Sequence, residues 1–270
     1  FTDAGGTSAD SIARWDGANW HPLGEGVDNR VGVVCVYHGD LIVGGYFLNA
    51  GGKGIPYLAR WNGTEWSSVG DGVDNVVAAM LVDQDTLYVG GTFTTAAGLS
   101  ANRIAAWDGT NWETLGLGFN NWVTALYGYR GSIIAGGLFT SSGAVATNYV
   151  ARWDGTSWQP LAGGLDNYVQ ALFEYDGDLI VGGPFSNADG FPSRRWARYG
   201  PSGPKPLIES EPASPSICAG STVSLHTGAT GAGTLSFQWR KDGVNLHDSA
   251  NLSGAQMPTL VFVQPTVADT

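Results

Sequence analysis

Positive charge is scarce in this chain: 13 Lys and Arg stand against 24 Asp and Glu, a net charge of −11 over 270 residues. A surface that acidic repels phosphate backbones and anionic headgroups, which argues against nucleic acid or a membrane surface as the main partner. Two Cys exclude a disulfide-dense scaffold and a cysteine zinc site. The four His, at 21, 38, 226 and 247, fall in no His-x-x-x-His or His-Glu spacing. No metal site and no cofactor are therefore expected. No apolar run approaches the roughly 18 residues of a membrane-spanning helix, and mean hydropathy is −0.04, so no membrane insertion is expected. No segment carries a 3.6-residue apolar period over helical length, and no Ser sits in a Gly-x-Ser-x-Gly elbow. What the chain has in quantity is 41 Gly and 11 Trp, in a composition that is 43% hydrophobic and so rich enough for a packed core.

Those Gly and Trp residues are periodic. Ala13-Arg14-Trp15-Asp16-Gly17 returns as Ala59-Arg60-Trp61-Asn62-Gly63, as Ala105-Ala106-Trp107-Asp108-Gly109 and as Ala151-Arg152-Trp153-Asp154-Gly155, with a degenerate copy at Ala197-Arg198-Tyr199-Gly200. The lead aromatic recurs every 46 residues, and a second Trp follows it at 20, 66, 112 and 158. Gly doublets at 44–45, 90–91, 136–137 and 182–183 and Phe at 1, 47, 93, 139 and 185 keep the same step. A period of this length marks a tandem-repeat architecture.

Within one period the pattern is strand after strand. Val169–Tyr175 is β-rich, Asp176-Gly177 forms a tight turn, and Leu179–Val181 follows. After the Gly doublet and a longer loop comes a third strand, which in the preceding unit is Tyr149–Trp153, with Asp154-Gly155 expected as a two-residue turn into a fourth strand around Trp158. Four antiparallel strands per repeat predict an all-β chain whose first 200 residues are a partial β-propeller of about four blades. Strands such as Val31–Val36 should then be buried on both faces, the Gly doublets should let strands crowd together, and the Trp pairs should be wedges between blades. Strand counting gives two, twelve and three across the N-terminal, complete and C-terminal units, so no whole number of blades closes cleanly; a fragment of a longer chain is expected, with strands from the two termini completing a shared blade as the alternative.

The run Leu-Ile-Val-Gly-Gly-x-Phe, a loop, Ala-Arg-Trp-Asp-Gly-x-x-Trp and Leu-x-x-Gly-(Val/Leu)-Asp-Asn resembles the tandem repeats of large secreted bacterial surface proteins, relatives of kelch and galactose-oxidase-type propellers. The resemblance covers residues 1–200 and speaks to repeat type rather than activity. The five-residue step between the two Trp is shorter than the kelch spacing, so the repeat is kelch-like rather than kelch proper. Asp154-Gly155-Thr156-Ser157-Trp158 is not a sialidase-type Asp box, which has a residue between Asp and Gly.

Five of 12 Pro fall in 201–215, which reads as a semi-extended linker. Residues 207–270 resemble a bacterial immunoglobulin-like module of the I-set kind. The resemblance rests on Cys218–Leu225, on Phe237-Gln238-Trp239-Arg240-Lys241-Asp242-Gly243 and on the Leu260–Phe262 and Val267–Asp269 strings. It implies Trp239 as the core Trp of a sandwich truncated at its C-terminal end. The usual strand-B cysteine position is Thr227, which leaves the pairing partner of Cys218 open.

Residues that break the repeat are where chemistry would show. Cys35 stands where Leu81, Tyr127 and Phe173 stand in other copies, which makes a buried inert thiol the expectation. Arg14, Arg60, Arg152 and Arg198 share one register and read as structural, through stem packing or carboxylate pairing. Asp28, Asp74, Asn120 and Asp166, each followed by Asn, read as turn-closing Asx residues, with a shared calcium or sugar-hydroxyl ring as the alternative. No catalytic residue is identified. The one variable register in an otherwise regular unit is Arg30, Val76, Trp122 and Tyr168, directly after the Asx pair and expected on the same face as the varying loops 48–56, 94–102, 140–148 and 186–194. These four are the candidate ligand-binding residues, against drift at unconstrained loop tips. The expected function is a secreted or cell-surface adhesion module that binds a glycan or an extracellular protein. A carbohydrate-active propeller enzyme with its catalytic residues elsewhere, or a purely structural spacer, are the alternatives.

Overall fold

The computed structural model describes residues 1–200, 207–210, 212, 221–230, 237–241 and 244–263. Of the sequence readings above, most of the linker, Cys218, Asp242-Gly243 and Val267–Asp269 lie outside these residues. The chain forms two compact units, Phe1–Arg198 and Tyr199–Thr270. Every regular element among the described residues is a β-strand.

The first unit repeats one meander. Val31–Tyr37, Asp40–Gly45, Leu58–Trp61 and Trp66–Ser68 pair in chain order into a four-stranded antiparallel sheet. Val77–Asp83, Thr86–Gly91, Ile104–Trp107 and Trp112–Thr114 form the second sheet, and Val123–Tyr129, Ser132–Gly137, Val150–Trp153 and Trp158–Pro160 the third. Among the described residues the fourth has three strands, Ala171–Tyr175, Asp178–Gly182 and Trp196–Tyr199. A hairpin of Ala13–Trp15 and Trp20–Pro22 precedes the first sheet and holds the place of its predecessor's outer half. The long loops carry two-residue ladders the sequence did not announce, such as Thr95–Ala96 on Leu99–Ser100.

Two kinds of turn alternate in each meander. Asp176 and Gly177 join strands whose closing pair is Tyr175 and Asp178, and both take positive φ (53° and 77°), as a two-residue hairpin demands. The Trp-Asp-Gly-x-x-Trp turn is different and corrects the two-residue expectation. Trp153 pairs with Trp158 across a four-residue connection in which Gly155 alone has positive φ. Its fold is set by Asp154, whose Oδ1 accepts the N–H groups of Thr156 and Ser157 at 2.9 and 2.8 Å. Asp16, Asn62 and Asp108 do the same in their copies. The Asx residue supplies the acceptor that a longer turn lacks in its own backbone.

Successive sheets pack face to face, first strand against first strand. The core is therefore divided into four separate clusters, one at each junction from the N-terminal hairpin onward. Each junction repeats the same contacts. The second Trp of one sheet (66, 112, 158) is buried against the preceding unit. Trp66 and Trp158 donate their indole N–H to the Leu23 and Leu115 carbonyls, at 2.7 and 3.1 Å, whereas the Trp112 indole N–H has no partner. The first Trp lies over a glycine of the preceding unit, Trp61 on Gly24 and Trp107 on Gly70. The first Gly of each doublet admits the next sheet's β-branched side chain: a Cβ on Gly44, Gly90 or Gly136 would come within 2.5–2.6 Å of Val77, Val123 or Val169.

The ends of the array lack those covers. Val34 and Val36 are exposed, contrary to the expectation of burial on both faces, because among the described residues of this unit no sheet covers that side of Val31–Tyr37. Trp15 and Trp20, at the N-terminal hairpin, are likewise exposed rather than wedged.

In the second unit, Leu207–Ser210, within the expected linker, is a strand paired with Gly228–Thr230. Thr222–His226, Thr259–Val263 and Leu252–Ser253 make a three-stranded antiparallel sheet. Its small core gathers Leu252, Ala255 and Leu260, with Leu225, Trp239, Leu246 and Phe262 against them. The Trp239 indole N–H donates to the Met257 carbonyl at 2.8 Å.

Candidate binding face

In a four-stranded meander the connection from the second to the third strand and the connection to the next sheet leave from the same end. Isolated bridges tie the two together here: Val27 to Ala50, Val73 to Ala96 and Leu165 to Ala188. Arg30, Val76, Trp122 and Tyr168 thus share one end of the array with loops 48–56, 94–102, 140–148 and 186–194.

The Asx pair builds that end. Oδ1 of Asp28 accepts the N–H groups of Leu48 and Asn49, at 2.8 and 3.0 Å, and Oδ2 accepts the Asn49 amide at 2.7 Å. Asp74, Asn120 and Asp166 hold residues 94–95, 140–141 and 186–187 in the same way. These carboxyls are engaged in structure. Partial burial opposes ionisation of Asp28, but the Asn49 and Leu48 donors outweigh it and hold the carboxyl below its usual range. At Asp166 the Ser186 hydroxyl and the Asn187 N–H likewise hold the carboxyl below its ordinary range. The following Asn turns its Oδ1 onto the next residue's N–H, at 2.7–2.9 Å to Arg30, Val76, Trp122 and Tyr168.

The candidate residues are therefore pinned by backbone. The carbonyls of Arg30, Val76 and Trp122 accept the N–H of Tyr46, Thr92 and Leu138, each at 2.9 Å. The second Gly of each doublet lies against that same carbonyl; a Cβ on Gly45, Gly91, Gly137 or Gly183 would come within 2.0–2.3 Å of it. Only the side chain is free to differ. Arg30 and Trp122 are exposed, and Val76 and Tyr168 are half-buried. The Arg30 guanidinium sits 5.4 Å from the centre of the Tyr46 ring. The four side chains occupy equivalent places in successive units rather than one pocket.

At the same end, between the N-terminal hairpin and the first sheet, lies a cleft of about 490 Å³ that the sequence reading missed. It is lined by Asp10, Glu25 and Asp28 with Asn49 and Gly52. Asp10 replaces Pro56, Asn102, Asn148 and Arg194 at its register, and that break was the available signal. Among the described residues, no group of three or more His, Cys, Asp or Glu is arranged to hold a metal ion.

The Arg60 Nε lies 2.5 Å from Asp40 and the Arg198 Nε 3.3 Å from Asp178, each pair joining neighbouring strands of one sheet. Cys35 is half-buried with its Sγ 4.0 Å from the Met80 sulfur, and burial pushes its thiol up to about 11, too high to supply thiolate near neutrality. On the opposite end of the array, Tyr37 and Tyr129 donate their hydroxyls to the carbonyls of Asp85 and Gly177 in the next sheet, both at 2.9 Å.

The chain is an all-β protein of serial small antiparallel sheets. No protein-family model matches it, and no curated protein matches it. Among solved structures it is similar to the computationally designed Ika4 protein, with a TM-score of 0.41 and 17% identity over 65% of this chain and 95% of that one. The computationally designed Ika8 protein matches with a TM-score of 0.35 and 13% identity, over 88% of this chain and 85% of that one.

Proposed function

We propose that the serial sheets are blades of a kelch-like β-propeller, that the second unit is an immunoglobulin-like spacer, and that together they form an extracellular binding module. The meander order of each sheet and the packing of first strand on first strand support the propeller reading. Burial of Val223 on alternate positions of Thr222–His226, and Trp239 against the small core, support the spacer.

The observation that carries the binding role is the contrast at one register. The backbone N–H of Arg30, Val76, Trp122 and Tyr168 is held by the preceding Asn Oδ1 in every unit, while the side chain changes from Arg to aliphatic to aromatic. A rigid frame that presents dissimilar anchors is how a recognition surface is built. Trp and Tyr rings suit stacking on sugar faces or insertion into a protein partner. The ligand is a glycan or an extracellular protein.

Replacing Trp122 and Tyr168 together by Ala tests this. Binding on a glycan array, or to a surface that retains the intact chain, should fall at least tenfold with thermal stability unchanged. Undiminished attachment would reduce the module to a spacer.

A further inference from the structure

One turn of the first sheet matches its copies in shape but not in chemistry. The register that carries Asp16, Asp108 and Asp154 holds Asn62, and Asn62 is the one Asn in the chain that Gly follows. Its Oδ1 accepts three hydrogen bonds: from the Thr64 N–H at 2.9 Å, the Thr64 hydroxyl at 2.8 Å and the Glu65 N–H at 2.9 Å. Among the described residues, neither the Asn62 Nδ2 nor the Gly63 N–H makes a hydrogen bond. Residues 62–65 are exposed, and a Cβ on Gly63 would meet nothing within 4 Å, so water reaches the amide.

The parts of an intramolecular acyl transfer meet there. The side-chain carbonyl of Asn62 is the electrophile, and donors on its oxygen stabilise the negative charge that builds when a nucleophile adds to Cγ. The nucleophile is the Gly63 backbone nitrogen, which has no side chain of its own in the path of approach. Its addition forms an N–Cγ bond, its proton passes through solvent to Nδ2, and the Cγ–Nδ2 bond breaks to release ammonia and leave a cyclic imide. Water, the one co-reactant, then opens the ring, its hydroxyl going to carbon and its proton to nitrogen. Opening at Cγ leaves an ordinary aspartyl residue. Opening at the main-chain carbonyl leaves an isoaspartyl residue, with an extra carbon in the backbone.

The other copies show which product the turn accepts. Asp154-Gly155-Thr156 differs from Asn62-Gly63-Thr64 in one side chain, and the Asp154 Oδ1 accepts the Thr156 N–H, the Thr156 hydroxyl and the Ser157 N–H at 2.9, 2.9 and 2.8 Å. An aspartyl residue at 62 inherits that same set of donors. An isoaspartyl residue lengthens the connection between Trp61 and Trp66, which pair across the hairpin with ring centres 5.3 Å apart, Trp66 being buried. The existing Asp copies stay out of this chemistry near neutrality. Their backbone donors hold Asp16, Asp108 and Asp154 in the ionised form, and a carboxylate is a poor electrophile.

We propose that Asn62 is a self-modifying site: in the folded chain it passes through the Gly63 imide to aspartate, the residue its register carries in the neighbouring units. The turn supplies the polarised carbonyl, the unhindered nitrogen and the preference for the aspartyl product. Conversion adds one negative charge beside Glu65, which already pairs with Lys53 at 3.3 Å. In a meander the connection from third to fourth strand leaves from the end opposite the long loops, so the site is apart from Arg30, Val76, Trp122 and Tyr168. The inference stands whether or not the loop face binds a ligand.

Peptide mapping by mass spectrometry, after incubation of the 270-residue chain in mildly alkaline buffer, tests this. One amide-to-acid conversion should appear, at Asn62, with ammonia released in equal amount and the aspartyl form as the larger product. In urea, where the turn is lost, the isoaspartyl form should become the larger. Thr64→Val removes one donor to Oδ1, keeps the backbone N–H groups and should slow conversion roughly two- to tenfold, the loss of one hydrogen bond. Asn62→Gln should abolish it with the circular dichroism unchanged, since the longer side chain closes a larger, slower ring. Asn62→Asp, the product made directly, should coelute with the converted chain and unfold at the parent's urea midpoint. The proposal is overturned if the folded chain shows no conversion or comparable conversion at several Asn. An isoaspartyl excess without urea, or a rate that Thr64→Val leaves unmoved, overturns it equally.

Discussion

The second sheet, Val77–Thr114, and the first, Val31–Ser68, are built from nearly the same residues, yet they sit in different surroundings. The second is covered on both sides, while the first strand of the other turns Val34 and Val36 to solvent. The difference shows that the repeat is written for an interior position. Its glycines, its aromatic pairs and its tyrosine hydroxyls are each half of a contact whose other half lies 46 residues away. Where the neighbouring sheet is missing, the same side chain becomes surplus.

Paired substitutions can break that comparison, and the tryptophans should show the largest effect. Trp158 is buried and bonded to the Leu115 carbonyl, so Trp158→Ala should cost about 3–5 kcal/mol in urea unfolding. Trp20 holds the same register at 41% exposure, and Trp20→Ala should cost about 1 kcal/mol or less. Equal losses would mean that the N-terminal hairpin is packed as the interior is.

The glycines come next. A valine at Gly136 collides with Val169 and should destabilise by about 1–3 kcal/mol through overpacking. Gly182→Val should lie within about 0.5 kcal/mol of neutral, because a Cβ there meets nothing closer than Ala171 at 3.8 Å. A large loss at Gly182 would place an unseen neighbour on that face.

The smallest effect belongs to the exposed turns. Backbone N–H groups of Asn19, Asn111 and Ser157 hold the carboxyls of Asp16, Asp108 and Asp154 below their ordinary values. A carboxyl lowered in the folded state adds stability above its unfolded pKa of about 3.9 and loses it as pH falls toward the folded value. Asn62 already occupies this register without a titratable group. Asp16→Asn, Asp108→Asn and Asp154→Asn together should therefore flatten the dependence of the urea midpoint on pH below about 4 while leaving neutral stability nearly unchanged. An acid limb as steep as the parent's would assign the acid sensitivity to other carboxyls.

The meander was legible in the sequence because each of its determinants is local or strictly periodic. Asp176-Gly177 marks a hairpin wherever it stands, and the 46-residue step aligned strands never compared in space. The four-residue turn at Asp154 was misjudged because Asp-Gly favours two turn geometries, and the pairing of Trp153 with Trp158 decides between them. Exposure at the ends was misread for a deeper reason: periodicity describes what a residue is suited to touch and carries no information about whether the neighbour is present. At the candidate face, the common register of Arg30, Val76, Trp122 and Tyr168 was readable. The Asp10 and Glu25 cleft was not legible, since it joins an atypical first unit to a typical one.

The division of the apolar interior into junction clusters has a consequence for how such a chain changes over generations. A protein with a single central core must re-solve its packing whenever a segment is gained. Here each cluster is completed by one neighbour alone. In-frame duplication or loss of a whole unit leaves every surviving cluster intact, so the number of units can drift by unequal recombination while the shape of each unit, and the loops it displays, are inherited unchanged.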